Sequence, residues 1–208
     1  AVTLAHTELD TDGISYLSLL FDASHLSLPE LKLLPVLCEV ITKLGTDLLD
    51  DVQFTNRIQI ETGGGGVKVS PIVAATHNSK DTGSISFHVS GAALSEKAAG
   101  LLTIMNEIIS DAAFDNGERL KELITEMRSG AEGAALDDPN RFVVLRSRAT
   151  LSEIDAKADL LGGVTQIALL RELEQRIESD SSAVVAELTA VLDKVISDPN
   201  LMVHGTMP

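Results

Sequence analysis

The clearest pattern in the chain is an alternation of polar and apolar positions that is typical of β-strands. In residues 83–90, polar side chains at the even positions alternate with Ile85, Phe87 and Val89, as in a strand with one solvated face. Residues 67–74 form a second such run, and the polar turn of residues 77–81 separates the two. They are therefore predicted to pair as an antiparallel hairpin. Shorter apolar runs predict two further strands, over residues 13–22 and 200–206.

Capping residues indicate where the first helix begins. Ser27 and Glu30 have the Ser-x-x-Glu spacing of a capping box. The helix that they open is predicted to end at Gly45, because glycine readily adopts the backbone conformation that terminates a helix. Pro35 lies inside this helix and predicts either a later start or a kink.

Apolar side chains that recur every three or four positions predict the remaining helices. Asn116 and the pair Asp138-Pro139 are typical of helix starts. The second predicted helix covers residues 46–61. The third begins near residue 92 and has an apolar stripe from Leu94 to Ile109, and the fourth has a stripe from Leu120 to Ala131. A further helix runs from residue 139 and breaks near residues 149–156, another follows Gly162-Gly163, and the last begins at Ser181 or Ser182.

The predicted order is strand, two helices, hairpin, a run of helices and a final strand. This order predicts the α+β class, with one mixed or antiparallel sheet and helices stacked mainly on one face. With 208 residues, of which 44% are hydrophobic, residues 1–208 are predicted to form a single α+β domain. Because the chain starts without Met and ends directly after a strand-like run, we expect a domain excised from a longer protein.

The charge balance argues against two classes of partner. The chain has 16 basic and 31 acidic residues, for a net charge of −15. A surface that negative repels phosphate backbones and anionic lipid headgroups, so we expect no nucleic acid and no membrane among its partners. Cys38 is the only cysteine, so folding does not depend on an internal disulfide. The compartment, cytoplasmic or organellar, stays open.

The five histidines give no metal-binding motif. None has a His or Cys at the i+3 or i+4 spacing that places two ligands on one helix face. His6 and His25 are predicted in loops, and His77 in a turn. His88 and His204 lie on predicted strands, which leaves a metal site on paired strands as an alternative to the simpler interpretation of solvated or hydrogen-bonded histidines.

The four glycines of residues 63–66 have only a superficial likeness to a phosphate-binding loop. Lys68 is preceded by Val67 and followed by Val69, where that motif has Gly and Ser or Thr, and a predicted strand follows where the motif has a helix. A flexible connection between helix and strand is therefore the prediction. A close approach of the glycine backbone to a ligand is the alternative.

The other reactive side chains have structural interpretations. Cys38 falls on an apolar helical stripe, which predicts a buried, unreactive thiol. The acidic pairs at residues 50–51 and 137–138 are interpreted as helix starts. Three arginines in residues 141–148 form a local basic cluster, either a solvated helix face or a grip for an acidic segment. The residues by themselves predict no catalytic, cofactor-binding or metal-binding site.

Five segments, which together span nearly the whole chain, carry a resemblance to a known family. They are Thr11 to Tyr16 leading to Phe21 through Leu26, Leu33 to Leu37 with Gly45-Thr46, Ile58 through Gly64, Ser90-Gly91-Ala92-Ala93-Leu94, and Gly162-Gly163 with the helix that ends Leu170-Arg171-Glu172-Leu173. In order and spacing they resemble the second half of presequence-protease-type metallopeptidases of the pitrilysin/insulinase family. Ala92 stands where that family usually has lysine.

The resemblance implies a fold and a context. Such enzymes have four similar α+β domains, of the mitochondrial-processing-peptidase-like metallohydrolase type, in two halves that close into a chamber around a peptide. Their zinc is bound in the first domain by an inverted H-x-x-E-H helix and a distant Glu. The corresponding helix here, residues 33–44, has Leu, Pro, Val and Cys where the ligands would stand. By this resemblance the chain is the third domain, the first of the non-catalytic C-terminal half, and no catalytic residue is carried over to it.

The partners that the resemblance implies are the catalytic N-terminal half, the neighbouring domain of the same polypeptide, and peptide substrates. Zinc is expected in the parent enzyme and not in this chain, which is predicted to be inactive alone. Two alternatives stay open: a metal-free structural or assembly protein of the same fold, and a small-ligand-binding α+β domain that uses the glycine loop as its site.

Overall fold

The strands that the structure describes form one five-stranded sheet in the order β1-β5-β2-β4-β3. The structure is a computed structural model that describes residues 2–76, 79–197 and 201–208. Strand β1 pairs with β5 in parallel, whereas the other neighbours are antiparallel. The sheet is therefore mixed, as predicted. The strands are β1 (Thr3–Glu8), β2 (Ile14–Asp22), β3 (Val67–Thr76), β4 (Ser79–Leu94) and β5 (Leu201–Met207).

Helices account for most of the remaining chain and stack mainly on one face of the sheet, which confirms the predicted α+β class. In the described residues they are α1 (Leu28–Val40), α2 (Asp51–Thr62), α3 (Ala98–Ser110), α4 (Gly117–Asp137), α5 (Pro139–Arg148), α6 (Glu153–Gly162), α7 (Val164–Ser179) and α8 (Ser181–Ser197), with a short 3-10 turn at Ser95–Lys97. None of them combines the length and the hydropathy needed to cross a membrane.

The hydrophobic core lies between the sheet and these helices. On β4 the buried side chains are Ile85, Phe87 and Val89, at the odd positions that the alternation predicts. Phe87 meets Phe21 of β2 edge to face, with ring centroids 6.1 Å apart, a geometry that aromatic pairs prefer. The helix side of the core is built mainly from Leu, Ile and Val, since the chain has only 3% aromatic residues.

Three helix starts are confirmed by their capping contacts. Asn116 accepts a hydrogen bond from the backbone N–H of Arg119 at the start of α4, and Asp138 accepts one from that of Arg141 at the start of α5. At α1, the backbone N–H and the hydroxyl of Ser27 both donate to the Glu30 carboxylate. Since α1 begins at Leu28 and continues past Pro35, a start at the proline was wrong.

Strand β1 was not predicted, and its residues explain why. Leu4 is 76% exposed, and the burial pattern of the strand shows no alternation. The strand is defined by its parallel register with β5, in which Ala5 pairs with His204. A partner almost 200 positions away leaves no local signal in the sequence.

The third predicted helix starts later than expected. Residues 92–94 extend β4, where Leu94 pairs with Ile14 of β2 and is 51% exposed. Leu94 is therefore not part of the helical stripe, and α3 begins at Ala98. The apolar spacing was misleading because strand pairing, a tertiary interaction, overrides helical periodicity at the junction.

Three other helix boundaries also differ from the prediction. Helix α1 ends at Val40 instead of Gly45. Helix α2 begins at Asp51 instead of Thr46, because Asp50 caps it by accepting a hydrogen bond from Gln53 N–H at 2.8 Å. The predicted break at residues 149–156 is only four residues long, since α6 already begins at Glu153. Ser152 caps that helix through the N–H of Asp155.

Candidate functional site

The side of the sheet opposite the helix layer is a continuous surface across β5, β2, β4 and β3. We call it the open face. Along β4 its residues are only partly buried, in contrast to the fully buried positions between them. Most of its side chains are small or uncharged. The open face comprises Tyr16, Ser18 and Leu20 on β2, Ser86, His88, Ser90 and Ala92 on β4, Lys68, Ser70 and Ile72 on β3, and Met202, His204 and Thr206 on β5.

The two strand histidines both lie on the open face, but the structure does not bring them together. His88 pairs with Leu20 and His204 with Ser18, so β2 runs between their strands. Two strand spacings separate their backbones by about 10 Å, so the two histidines do not lie on directly paired strands. In the described residues, no group of three or more His, Cys, Asp and Glu side chains could hold a metal ion.

Each histidine of the open face has a local environment of its own. Burial lowers the pKa of His88, and the nearby charge of Lys68 lowers it further. His204 Nε2 lies 3.2 Å from the hydroxyl of Thr7 on β1. Both are accounted for by ordinary packing and hydrogen bonding.

The other histidines have the following positions. His6 belongs to β1, so its predicted loop position was wrong. His25 lies in the connection between β2 and α1, as predicted, with Nε2 3.3 Å from the carbonyl oxygen of Lys194. His77 lies outside the described residues, so its predicted turn is not tested.

The glycine loop connects α2 to β3, as predicted, and its backbone amides are already used. Gly63 ends α2 in the left-handed conformation and donates its N–H to Gln59 O, as does Gly64. Gly65 N–H donates to the carbonyl of Thr62, and Gly66 N–H to the Thr62 hydroxyl at 2.8 Å. With all four N–H groups engaged, the loop offers no free donors to a phosphate, which argues against the small-ligand alternative based on this loop.

Cys38 and the acidic pairs have the structural roles that were predicted, with one exception. Cys38 on α1 is 3% exposed, and burial raises the pKa of its thiol well above the usual range. Asp50 and Asp138 cap helices. Asp137, in contrast, is the last residue of α4 and does not start a helix.

The arginines of α5 divide into two groups. Arg146 Nη1 lies 3.1 Å from Asp159 Oδ2, and Arg148 Nη2 lies 2.7 Å from Asp155 Oδ1. The acidic segment that they grip is therefore α6 of the same chain. Arg141 forms no ion pair within the described part of the chain, and its guanidinium lies 5.9 Å from the centre of the Phe142 ring.

A cleft of about 590 Å³ lies between the edge strand β3 and the helix layer. We call it the edge cleft. Lys68 and Arg141 both line it. The sequence singled out each of them for a different reason and gave no signal that they line the same cleft, because they are 73 positions apart in the chain. The wall of the edge cleft is largely apolar and includes Pro35, Pro71, Met127, Ala131, Phe142 and Leu170.

Comparisons with known proteins agree with the resemblance seen in the sequence. The sequence model of a family described as associated with peptidase M16, subfamily C, matches residues 1–173. The chain is 23% identical over 205 residues to "Presequence protease 1, chloroplastic/mitochondrial" of Arabidopsis thaliana, with 99% of this chain and 19% of the relative covered. It is 25% identical over 195 residues to "Presequence protease, mitochondrial" of Drosophila melanogaster, with 93% and 18% covered.

A solved structure supports the fold. The chain superposes with a TM-score of 0.69 on the "Crystal structure of a conserved protein from Enterococcus faecalis V583", at 17% identity. The alignment covers 99% of this chain and 46% of that protein. The chain thus spans about a fifth of the length of its curated relatives and about half of this solved structure.

Proposed function

This chain belongs to the family of domains associated with peptidase M16, subfamily C, and from that membership we propose that it is a non-catalytic domain of a zinc-dependent peptidase of the presequence-protease type. In this proposal it forms part of the wall of a chamber that encloses peptide substrates. It packs against a neighbouring domain and against the catalytic half of the same polypeptide. The relatives named as presequence proteases support this context.

The chemistry of α1 supports a non-catalytic role. This helix corresponds, by the resemblance, to the zinc-binding helix of the catalytic domain. Its buried side chains include Leu34, Leu37 and Cys38, which pack into the core. Hydrocarbon side chains cannot ligate zinc, and a single buried thiol does not supply the three protein ligands of a catalytic zinc site. The residues of α1 therefore do not fit a zinc ion, and we assign the zinc to another part of the polypeptide.

The open face is the observation that carries the proposal. A sheet with helices on one side has its other side available for contact with a further layer. The small side chains of Ser18, Ser90 and Ala92 on this face allow another element to approach closely. Since the chain spans only about a fifth of its curated relatives, the covering layer is proposed to come from the neighbouring domain.

The net charge supports the proposed substrate class. A chamber wall that contributes part of a charge of −15 raises the local concentration of positively charged peptides. Because such attraction is screened by salt, capture of basic peptides by the parent enzyme is expected to weaken as ionic strength rises.

The first test is the size of the natural product, measured with an antibody against this chain. A product several times heavier than 22.1 kDa agrees with the proposal, whereas a product of 22.1 kDa contradicts it and favours a free-standing structural protein. The second test is cleavage of a fluorogenic basic peptide by the heavier product, with and without a zinc chelator. Activity that the chelator does not abolish contradicts zinc dependence.

A substitution on the open face then tests its proposed contact. In the long polypeptide, Ser90→Glu is expected to lower peptidase activity about tenfold, since removing a carboxylate from water at a packed interface costs free energy even with Lys68 opposite it. In the 208-residue chain the same change leaves stability nearly unchanged, because Lys68 lies opposite residue 90 on β3. Ser129→Glu on the exposed side of α4 is the matched control. An equal effect of both substitutions contradicts the assignment of the open face.

A further inference from the structure

The two edges of the sheet differ in how well they are protected against pairing with a further strand. Edge strand β3 contains Pro71, which has no N–H to donate, and its register with β4 is irregular between Ala75 and Thr76. Proline and such irregularities are devices by which proteins block a sheet edge. Strand β1 at the other edge has neither, since its six residues run in regular register with β5 and contain no proline or lysine. The β1 edge is therefore suited to accept a further strand.

Hydrogen bonding to β5 determines which main-chain groups of β1 point outward. The N–H of Leu9 donates to the carbonyl oxygen of Met207 at 3.1 Å. Because the N–H and C=O groups of successive residues point to opposite sides of a strand, the odd-numbered residues face β5, whereas Leu4, His6 and Glu8 point these groups away from it. In the described parts of the chain, no strand pairs with this outer side. We call these outward main-chain groups the free edge.

The side chains around the free edge include exposed apolar ones. Leu4 is 76% exposed, although it pairs with Val203, which points to the helix side of the sheet. The helix layer therefore does not cover this part of β1. Val2 and Leu9, on either side of the strand, are 68% and 56% exposed. Apolar side chains next to unpaired main-chain groups are typical of a surface that another segment covers.

We propose that a sixth strand pairs with the free edge, and that a segment of the same polypeptide outside residues 1–208 contributes it. This inference rests on the proposed function, in which the chain is one domain of a longer peptidase. Since the chain spans about a fifth of its curated relatives, most of such a polypeptide lies outside it. The added strand provides hydrogen-bond partners for the outward N–H and C=O groups and covers Leu4.

The charges at the free edge favour this occupant over two others. A second copy would bring together two chains that each have a net charge of −15, and like charges repel. A basic substrate peptide would be selected by acidic side chains along the edge, whereas Glu8 is the only acidic side chain of β1. A segment of the polypeptide itself needs no such selection, because it is tethered to the domain.

The test is hydrogen–deuterium exchange of single amides, measured by mass spectrometry with electron-transfer fragmentation. In the 208-residue chain the amides of Leu4, His6 and Glu8 are expected to exchange quickly, and those of Ala5 and Thr7 slowly. In the long product the three outward amides are expected to exchange at least about a hundredfold more slowly than in the 208-residue chain. Ala5 and Thr7 are the internal control, because their pairing with β5 protects them in both proteins.

Two substitutions at His6 distinguish main-chain pairing from coverage by side chains. His6→Pro removes one outward N–H at a position where an edge strand tolerates proline. In the long product it is expected to prevent the added strand from pairing, so that Leu4 and Glu8 exchange at least about tenfold faster. His6→Ala keeps the N–H, is the matched control, and is expected to leave both amides protected. An equal effect of the two substitutions contradicts main-chain pairing.

Fast exchange of Leu4, His6 and Glu8 in the long product would overturn the inference. Protection that appears only after a substrate peptide is added would also overturn it, and so would protection already present in the 208-residue chain, which indicates a second copy. These failures are distinguishable from a failure of the proposed function. A natural product of only 22.1 kDa removes both, whereas fast exchange in a long, chelator-sensitive peptidase removes the sixth strand alone.

Discussion

The side chain of Asp159 occupies the space that a side chain at Gly163 would need. A β-carbon built on Gly163 would collide with both the carboxylate and the main-chain carbonyl oxygen of Asp159. Gly163 also forms the junction at which α6 ends and α7 begins, and its N–H donates to Asp159 O at 2.8 Å. Of the two glycines of the pair, only Gly163 is thus required. A side chain there has no room, although the backbone conformation would allow one.

Gly163→Ala is therefore expected to destabilise the protein by about 2 kcal/mol, the usual cost of forcing an extra carbon into a packed site. Gly162→Ala is the matched control, because nothing lies within 4 Å of a β-carbon at Gly162. It lies at the end of α6, where alanine is expected to stabilise by about 0.5 kcal/mol. Urea denaturation followed by circular dichroism measures both. Equal effects of the two changes would contradict the collision.

Arg146 is expected to stabilise the protein through Asp159. The Asp159 side chain is 5% exposed, whereas that of Arg146 is 54% exposed. Water therefore hydrates the guanidinium but hardly reaches the carboxylate. Arg146→Gln leaves a buried carboxylate without its cation and is expected to cost about 1–2 kcal/mol. Lys121→Gln breaks an exposed pair with Glu178 and is expected to cost less than about 0.5 kcal/mol. Addition of Asp159→Asn to Arg146→Gln should recover part of the loss, and no recovery would contradict this origin.

Glu30 is expected to make stability depend on acid pH. Hydrogen bonds from Lys194 and then from Ser27 lower the pKa of its carboxyl from 4.5 to about 2. Because the pKa is lower in the folded protein than in the unfolded chain, the stabilisation is complete above pH 4.5 and is lost as the pH falls towards 2.

Glu30→Gln is accordingly expected to cost about 1 kcal/mol at pH 7, the usual value of a lost helix cap, and nearly nothing near pH 2. Denaturation curves at pH 7, 4 and 2.5 for the two proteins provide the measurement. Glu39→Gln, which removes a carboxylate of the same helix and breaks its exposed pair with Lys43 beyond the helix end, controls for the loss of a carboxylate. A difference between Glu30→Gln and the parent protein that stays constant down to pH 2 would rule out this role.

Cys38 is expected to react with thiol reagents only after the protein unfolds. The side chain is 3% exposed although it borders the edge cleft, and its raised pKa leaves almost no thiolate at pH 8. A chromogenic disulfide reagent should therefore modify much less than one thiol per native chain in the time that it modifies one thiol per chain in denaturant. Fast and complete reaction of the native protein would show that the thiol is accessible.

The parts of the fold that the sequence predicted correctly depend on neighbouring residues. The alternation around Ile85, Phe87 and Val89 reports which side of β4 is buried, because side chains of a strand point to opposite faces in turn. Asn116 and Asp138 mark helix starts, because a cap is satisfied within three positions. The order of these elements along the chain then predicts the α+β class.

The family resemblance identified the context of the chain better than any single site residue did. No motif of the sequence identified the open face, because whether a second layer covers a sheet depends on how the whole chain packs and not on residues that are neighbours in sequence. The alternation at Ser86, His88 and Ser90 was its only signal, and it was interpreted simply as a solvated face.

The sequence by itself determined the class of fold, most helix and strand positions and the family. Only the tertiary structure decided which distant residues meet. It paired β1 with β5, placed β2 between His88 and His204, brought Lys68 to the same cleft as Arg141, and set Asp159 against Gly163. Local periodicity shows which side chains of a segment face the core and which face solvent. The contacts above depend instead on the packing of segments that are far apart in the chain, or on atomic detail that a hydrophobic pattern does not contain.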